Sequence, residues 1–373
     1  MWFRLISLSS NDKRHRCVSG DGMMGMAKWG FLSGLVIGGT VATLARKRCS
    51  PSSASRSDDP KEEPVSNGFS ITLGNPVEQK AFVQEYAKFL IEWRRLQEVT
   101  KQVMLGRIIN APDITALVDL PDDDPRVIEA EDRYKADLSA FVLARTAVDD
   151  FSELLTLASN GYGTGAMKTL RGMYERVVTS TYVALFPEVS RALVESTWTH
   201  SWKVWKRATA IRPDLATAVD EKDVDALRQK AAEAQARHNE SICKACKQLI
   251  QIHAWTKVDL ATMAKKVDDR LTELNLEHVS LSDYYLRCYL QPTALEHATG
   301  TSVNEKFEYV DGHWTYKMNT SKERQQAMLF GHALLLLLLG RQNQHFGYAL
   351  DDLIAPRIKA YGAVWTHVKP GQF

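Results

Sequence analysis

The chain has 373 residues, 45% hydrophobic and 25% charged, enough apolar material for a full core. Its net charge of +2 is unevenly spread: residues 1–65 hold ten Lys/Arg against six Asp/Glu, leaving 37 bases against 39 acids in the rest. That remainder lacks the bulk positive field of a nucleic-acid binder. The five scattered cysteines, Cys17, Cys49, Cys243, Cys246 and Cys288, are an odd set that excludes a disulfide framework and favours a reducing compartment.

From Trp29 to Ala45 the chain reads WGFLSGLVIGGTVATLA without a charge. Those residues reach about 25 Å as a helix, the lower limit for crossing a hydrocarbon core of about 30 Å. Arg46-Lys47-Arg48 follow at once, as a stop-transfer flank would, whereas a cleaved signal peptide wants its charge before the apolar run. Gly34-x-x-x-Gly38 offers a close-packing face for a second span. Charges lie on both sides of the run, but a start at Met26 would leave only Lys28 outside. The expected location is therefore the inner membrane, single-pass, with the C-terminal domain in the cytoplasm. Residues 46–75 are rich in Ser, Pro and charge and read as a disordered linker.

A helix should start after Asn75-Pro76, since Asn caps and Pro suits a first turn. Phe82, Tyr86, Phe89, Leu90, Trp93 and Leu96 recur at helical spacing. Asp122-Asp123-Asp124, between two prolines, reads as a turn and a helix start rather than a cation site. Long helices are expected over 126–158, 164–185 and 187–211. On the last, Trp198, Trp202 and Trp205 form a stripe typical of core or a helix–helix contact. Residues 220–252, rich in Ala, Lys, Glu and Gln, read as one strong helix. Further helices are expected over 259–274, 282–297 and 321–346, the last with a buried apolar run at 333–339. Between Lys306 and Lys317, FEYV-DG-HWTY is the signal for a two-residue hairpin, expected to be the one sheet of the protein. The fold class is thus all-α: a tail (1–28), a transmembrane helix (29–45), a linker (46–75) and a multi-helix bundle with a small β-hairpin (76–373).

Motifs for nucleotide binding, zinc proteases and nucleophile elbows are missing from the sequence, and no cofactor is expected. Cys243-Lys244-Ala245-Cys246, flanked by His238 and His253, is a weak metal candidate because a second ligand pair is missing. Arg341 and His345 are compared with the Arg–His pair of helical nucleases of the HEPN class, although their gap is shorter. The stronger pattern is Leu170-Arg171-Gly172-Met173-Tyr174-Glu175. There Arg171, Glu175, Val178 and Tyr182 share one helix face, so charge sits in line with apolar residues. Tyr289, Thr293 and His297 align four apart on another helix. Charge placed among apolar neighbours must be paired, so Arg171, Glu175 and His297 are expected to converge, with Tyr289 or Thr293 supplying a hydroxyl.

The segment LRGMYERVVTSTYVALF resembles the R-x-x-x-E helix of the bacterial family catalogued as domain of unknown function 5677. YLQPTALEHATGTS resembles its Tyr…Ser…His helix, and Trp255 with Leu260-Ala261 its intervening Trp segment. The likeness runs over about 141–339. It implies an all-helical fold in which Arg171, Glu175, Tyr289 and His297 stand at the family's polar positions, with Thr293 where Ser is the rule. It implies no reaction.

Two functions remain. One is a binding or signalling module, stress- or defence-associated, with Tyr174, Tyr289 and Thr293 as ligand-binding candidates. The other is a hydrolase or RNase-like enzyme using His297 as acid/base, with Arg171 holding an anion and Glu175 beside it. The expected partners are the membrane, through Trp29–Ala45, and a second copy or another protein; nucleic acid is not among them.

Overall fold

The computed structural model describes residues 74–105, 117, 120–121, 123–242, 249–251, 255–276, 279–297, 300–304, 306–316 and 320–366. The stretches 1–28, 29–45 and 46–73, with the expected span and most of the linker, lie outside them. So do Cys243, Cys246 and His253. Among the described residues, no helix is long and apolar enough to cross a membrane.

The described chain falls into two compact units, 195–253 and 69–194 with 254–373. In the larger one, α1 (Pro76–Glu85) starts as expected: the side chain of Asn75 accepts from the backbone N–H groups of Val77 and Glu78. Tyr86 interrupts the helical path before α2 (Ala87–Leu105). Asp124 caps α3 (Pro125–Ser159), so at least this member of the acidic run serves as a helix start. The buried face of α3 reads Ala136, Ala140, Ala144, Ala147, Phe151, Leu154 and Ala158. That alternation of three- and four-residue steps, mostly alanine, lets a neighbouring helix approach closely.

The neighbour is α4 (Gly163–Leu185), buried on most of its circumference through Ala166, Met167, Leu170, Met173, Tyr174, Val177 and Val178. A helix apolar nearly all round belongs at the centre of a bundle. The long α11 (Ser321–Phe346) packs on both, and its run from Ala333 to Leu339 is buried apart from half-buried Leu337. Around this three-helix centre lie α7 (Leu260–Glu273), α8 (Leu281–Tyr285), α9 (Gln291–Glu296), α10 (Gly300–Asn304) and α12 (Asp351–Val364). The last has no counterpart among the expected helices, and Pro356 lies inside it. The carbonyl it deprives of a donor belongs to Asp352, in the exposed first turn, where water can replace the bond.

The segment expected as one helix over 282–297 is divided. Between α8 and α9 a π-turn runs from Leu286 to Leu290. Pro292 explains it: lacking an N–H and crowding the carbonyl four residues back, it widens the turn that precedes it. The helix then stops at Glu296, with His297 extended at φ −81° and ψ 148°.

The smaller unit holds most of α5 (Ser190–Ile211) and all of α6 (Glu221–Ala234). Trp198 is buried against Leu227 and Ala231, with Trp202 and Trp205 packed alongside, so the stripe is a helix–helix contact. The expectation of one helix over 220–252 fails here. After α6 comes a π-turn, Gln235–Asn239, and then two strands, β1 (Glu240–Ile242) and β2 (Leu249–Gln251), paired antiparallel. Helix propensity differs between residues by well under about 1 kcal/mol, and the β-branched Ile242 and Ile250 suit a ladder. The second hairpin, β3 (Phe307–Val310) with β4 (His313–Tyr316), forms where Asp311-Gly312 predicts it, and is therefore not the sole sheet. Asp311 at φ 51° and Gly312 at φ 82° both adopt the left-handed conformation that a type I′ turn requires.

Candidate functional site

The predicted polar residues come from three stretches of the larger unit: the middle of α4, the π-turn, and the end of α9. Arg171 leaves α4 on a partly buried face, its side chain 24% exposed. Its acidic partner is Glu296, the last residue of α9, not Glu175 one turn along its own helix. Glu175 is exposed to solvent. The Arg171 guanidinium lies 5.0 Å from the centroid of the Tyr289 ring, within cation–π range. Burial alone would lower its pKa, but the Tyr289 hydroxyl and the charge of Glu296, with a smaller effect of Glu175, raise it. Its Nε is buried and has no hydrogen-bond partner among the described residues.

Behind the guanidinium is an aromatic stack. Tyr289 and Tyr285 lie 5.3 Å apart and nearly parallel, and the ring of Tyr174 is 6.4 Å from each. Tyr174 is fully buried, and its hydroxyl donates to the carbonyl of Leu281 at 2.8 Å. Burial pushes that phenol far above its ordinary range, so Tyr174 is a neutral structural post at any working pH. Thr293 donates its hydroxyl to the carbonyl of Tyr289 at 2.5 Å, back along its own helix. His297 is exposed, and its backbone N–H closes α9 on the carbonyl of Thr293.

The arrangement thus joins Arg171, Tyr174 and Tyr289, adds Glu296 and Tyr285, and leaves Glu175 and His297 exposed. Sequence reasoning missed Glu296 because the neighbouring His297 is the more reactive type. It missed Tyr285 because a regular helix would not explain why two tyrosines four apart stack so closely before Pro292. Chemically, the arrangement offers a cation on a π surface, one N–H without a partner among the described residues, and a carboxylate beside it.

The other candidates have other occupations. His345 bonds Asp137 through Nε2 at 2.8 Å, and Arg341 donates to Gln344 at 2.7 Å, with burial lowering its pKa against the raising field of Asp268. In the smaller unit His238 bonds Glu195 at 2.9 Å, an acid that Arg237 also holds at 3.0 Å. Among the described residues, no group of three or more His, Cys, Asp or Glu is placed to hold a metal ion. No curated protein and no solved structure matches the chain. The model of a family of unknown function, DUF5677, matches residues 138–313, which include Arg171, the tyrosine stack and Glu296; this stretch of the chain is a domain of that family.

Proposed function

We propose that this protein is a membrane-tethered binding module whose ligand site is the cluster of Arg171, Tyr289 and Glu296, serving a signalling or stress- and defence-associated role. The observation that carries the site is the buried Nε of Arg171, a charged donor without a partner among the described residues, beside a stack of π faces. Such a donor costs free energy unless something accepts from it, and its charge suits a carboxylate or phosphate on a planar molecule. Glu296 would then be a competitor that the ligand displaces. The tether rests on the uncharged Trp29–Ala45 run and its Arg-Lys-Arg flank.

A second reading, a hydrolase or RNase-like enzyme, draws on His297, which follows directly on the acid that holds Arg171. An exposed imidazole there could serve as acid/base for a group seated on the guanidinium, with Glu175 one turn further along α4.

The test uses full-length protein solubilised in mild detergent, with co-purifying small molecules identified by mass spectrometry. One anionic compound should be enriched with wild type, lost in Arg171→Met and enriched further in Glu296→Gln, where its competitor is neutralised. A wild-type profile indistinguishable from Arg171→Met would refute the site. Carbonate extraction tests the tether: the chain should stay in the membrane pellet, and its release would refute the span. If His297→Ala alone stops turnover of the captured compound while its binding persists, the second reading replaces the first.

A further inference from the structure

We propose that the aromatic face of the β3–β4 hairpin seats on the bilayer surface; this rests on the tether proposed above. The register pairs Phe307 with Tyr316 and Tyr309 with Trp314, which puts these four rings on one face. They pack edge to face in two pairs, with centroids 6.2 and 5.2 Å apart. Yet they are 46%, 55%, 63% and 72% exposed for Phe307, Tyr316, Tyr309 and Trp314. A two-stranded hairpin is marginal alone in water, and an uncovered apolar face on one calls for a cover.

What supplies the cover follows from where the hairpin is rooted. The turn at 160–164 gathers three parts of the chain. Asn75, just ahead of α1, donates its backbone N–H to Asn160 at 2.9 Å. Lys306, one residue before β3, donates to Thr164 at 2.6 Å. Thr320, four residues after β4, donates to the Gly161 carbonyl at 2.8 Å and accepts from the Gly163 N–H at 3.0 Å. The hairpin therefore springs from the same corner at which the chain arrives from the proposed span. Residues 46–75 cannot extend beyond about 100 Å, so that corner is held near the bilayer. Even a weak surface contact is then favoured by a high effective concentration.

The residue types agree. Trp and Tyr, with an apolar body and a polar tip, are the side chains that collect at headgroup level. A protein partner fits less well. Rings of this size show on the order of 500 Å² when half exposed, below the roughly 800 Å² per partner of a stable interface.

The test reconstitutes the full chain into phosphatidylcholine vesicles whose acyl chains carry bromine near the headgroup, a short-range quencher of indole fluorescence. Subtracting the emission of Trp314→Phe from that of wild type isolates Trp314, an exposed position where the exchange leaves the fold intact. Most of that difference emission should be lost in brominated relative to plain vesicles. Unquenched difference emission would overturn the inference, whether red-shifted as in water or blue-shifted as against a second copy or another protein. Quenching that persists in Trp314→Phe reports Trp29 in the span. If it persists while Trp314 is unquenched, the hairpin seating fails and the tether stands; if all quenching is missing, both fail.

Discussion

Arg171 on α4 is held by Glu296 at the far end of α9, 125 positions along the chain, with the face of Tyr289 against its guanidinium. The pair is part-exposed, 24% and 38% at the side chains, so water screens it and side-chain ordering offsets much of its attraction. A double-mutant cycle between Arg171→Ala and Glu296→Ala, read by urea unfolding, should therefore give a coupling of about 0.5–1 kcal/mol. The same cycle with Glu175→Ala should give a value close to zero. A coupling to Glu175 larger than that to Glu296 would mean that the helix pairs internally and that the site is misassigned.

The buried His332 predicts a pH dependence. Its Nδ1 accepts from the indole N–H of Trp365 at 3.0 Å, so the neutral ring carries its proton on Nε2. Phe89 and Tyr361 enclose it at 5.2 Å between centroids, and burial pushes its pKa down to about 4. Unfolded, it titrates near about 6.5. Above that value neither state is protonated and the group has no effect on stability. Between the two values the unfolded chain takes up a proton that the folded chain refuses. Stability therefore falls as pH drops through this window, by up to about 3 kcal/mol, and levels off below it. Urea unfolding of wild type and His332→Gln should show the advantage of wild type shrinking across the window. An advantage independent of pH would contradict the assignment.

What could be read from the sequence and what could not divide along physical lines. The long helices α3, α4 and α11 were legible because caps, prolines and apolar spacing agree over many turns. The 306–317 hairpin was legible because Asp311-Gly312 leaves the chain little alternative. Residues 235–251 were misread because helix propensity is a small local preference that pairing overrides. Of the candidate cluster, Arg171, Tyr174 and Tyr289 stand out in the sequence, but their pairings do not. Arg171 finds an acid 125 positions away, and Tyr289 reaches it only through a π-turn that a regular helical pattern does not describe.

Glu92 on α2 is 3% exposed, and Arg357 on α12 lies 2.9 and 3.0 Å from its two carboxylate oxygens. Removing the guanidinium strands a buried charge, with Arg95 still 3.6 Å away. Arg357→Ala should destabilise the protein by about 3 kcal/mol, whereas Glu92→Leu with Arg357→Met should recover most of that loss. If the double substitution is worse than the single one, the ion pair contributes packing that apolar chains cannot replace.

Gly163 and Gly340 should respond to alanine with opposite signs. A methyl group at Gly340, within α11, would meet nothing within 4 Å. Alanine there restricts the unfolded chain and suits a helix, so Gly340→Ala should stabilise by about 0.5–1 kcal/mol. At Gly163, the first residue of α4, the same methyl would sit 2.1 Å from the carbonyl oxygen of Thr320 and 2.7 Å from the backbone nitrogen of Arg324. Both contacts are main chain, so no rotamer change relieves them; the starts of α4 and α11 must move apart. That movement also strains the bond from the Gly163 N–H to the Thr320 hydroxyl and disturbs Arg324, which clamps Glu78 at 2.9 Å and Glu85 at 2.7 Å on α1. Overpacking of this kind costs about 1–3 kcal/mol, more than any gain in helix propensity at a first turn. Thermal unfolding of the two variants beside wild type should show a lower midpoint for Gly163→Ala and a higher one for Gly340→Ala. A Gly163→Ala midpoint at or above wild type would mean that the two helix starts are not in backbone contact.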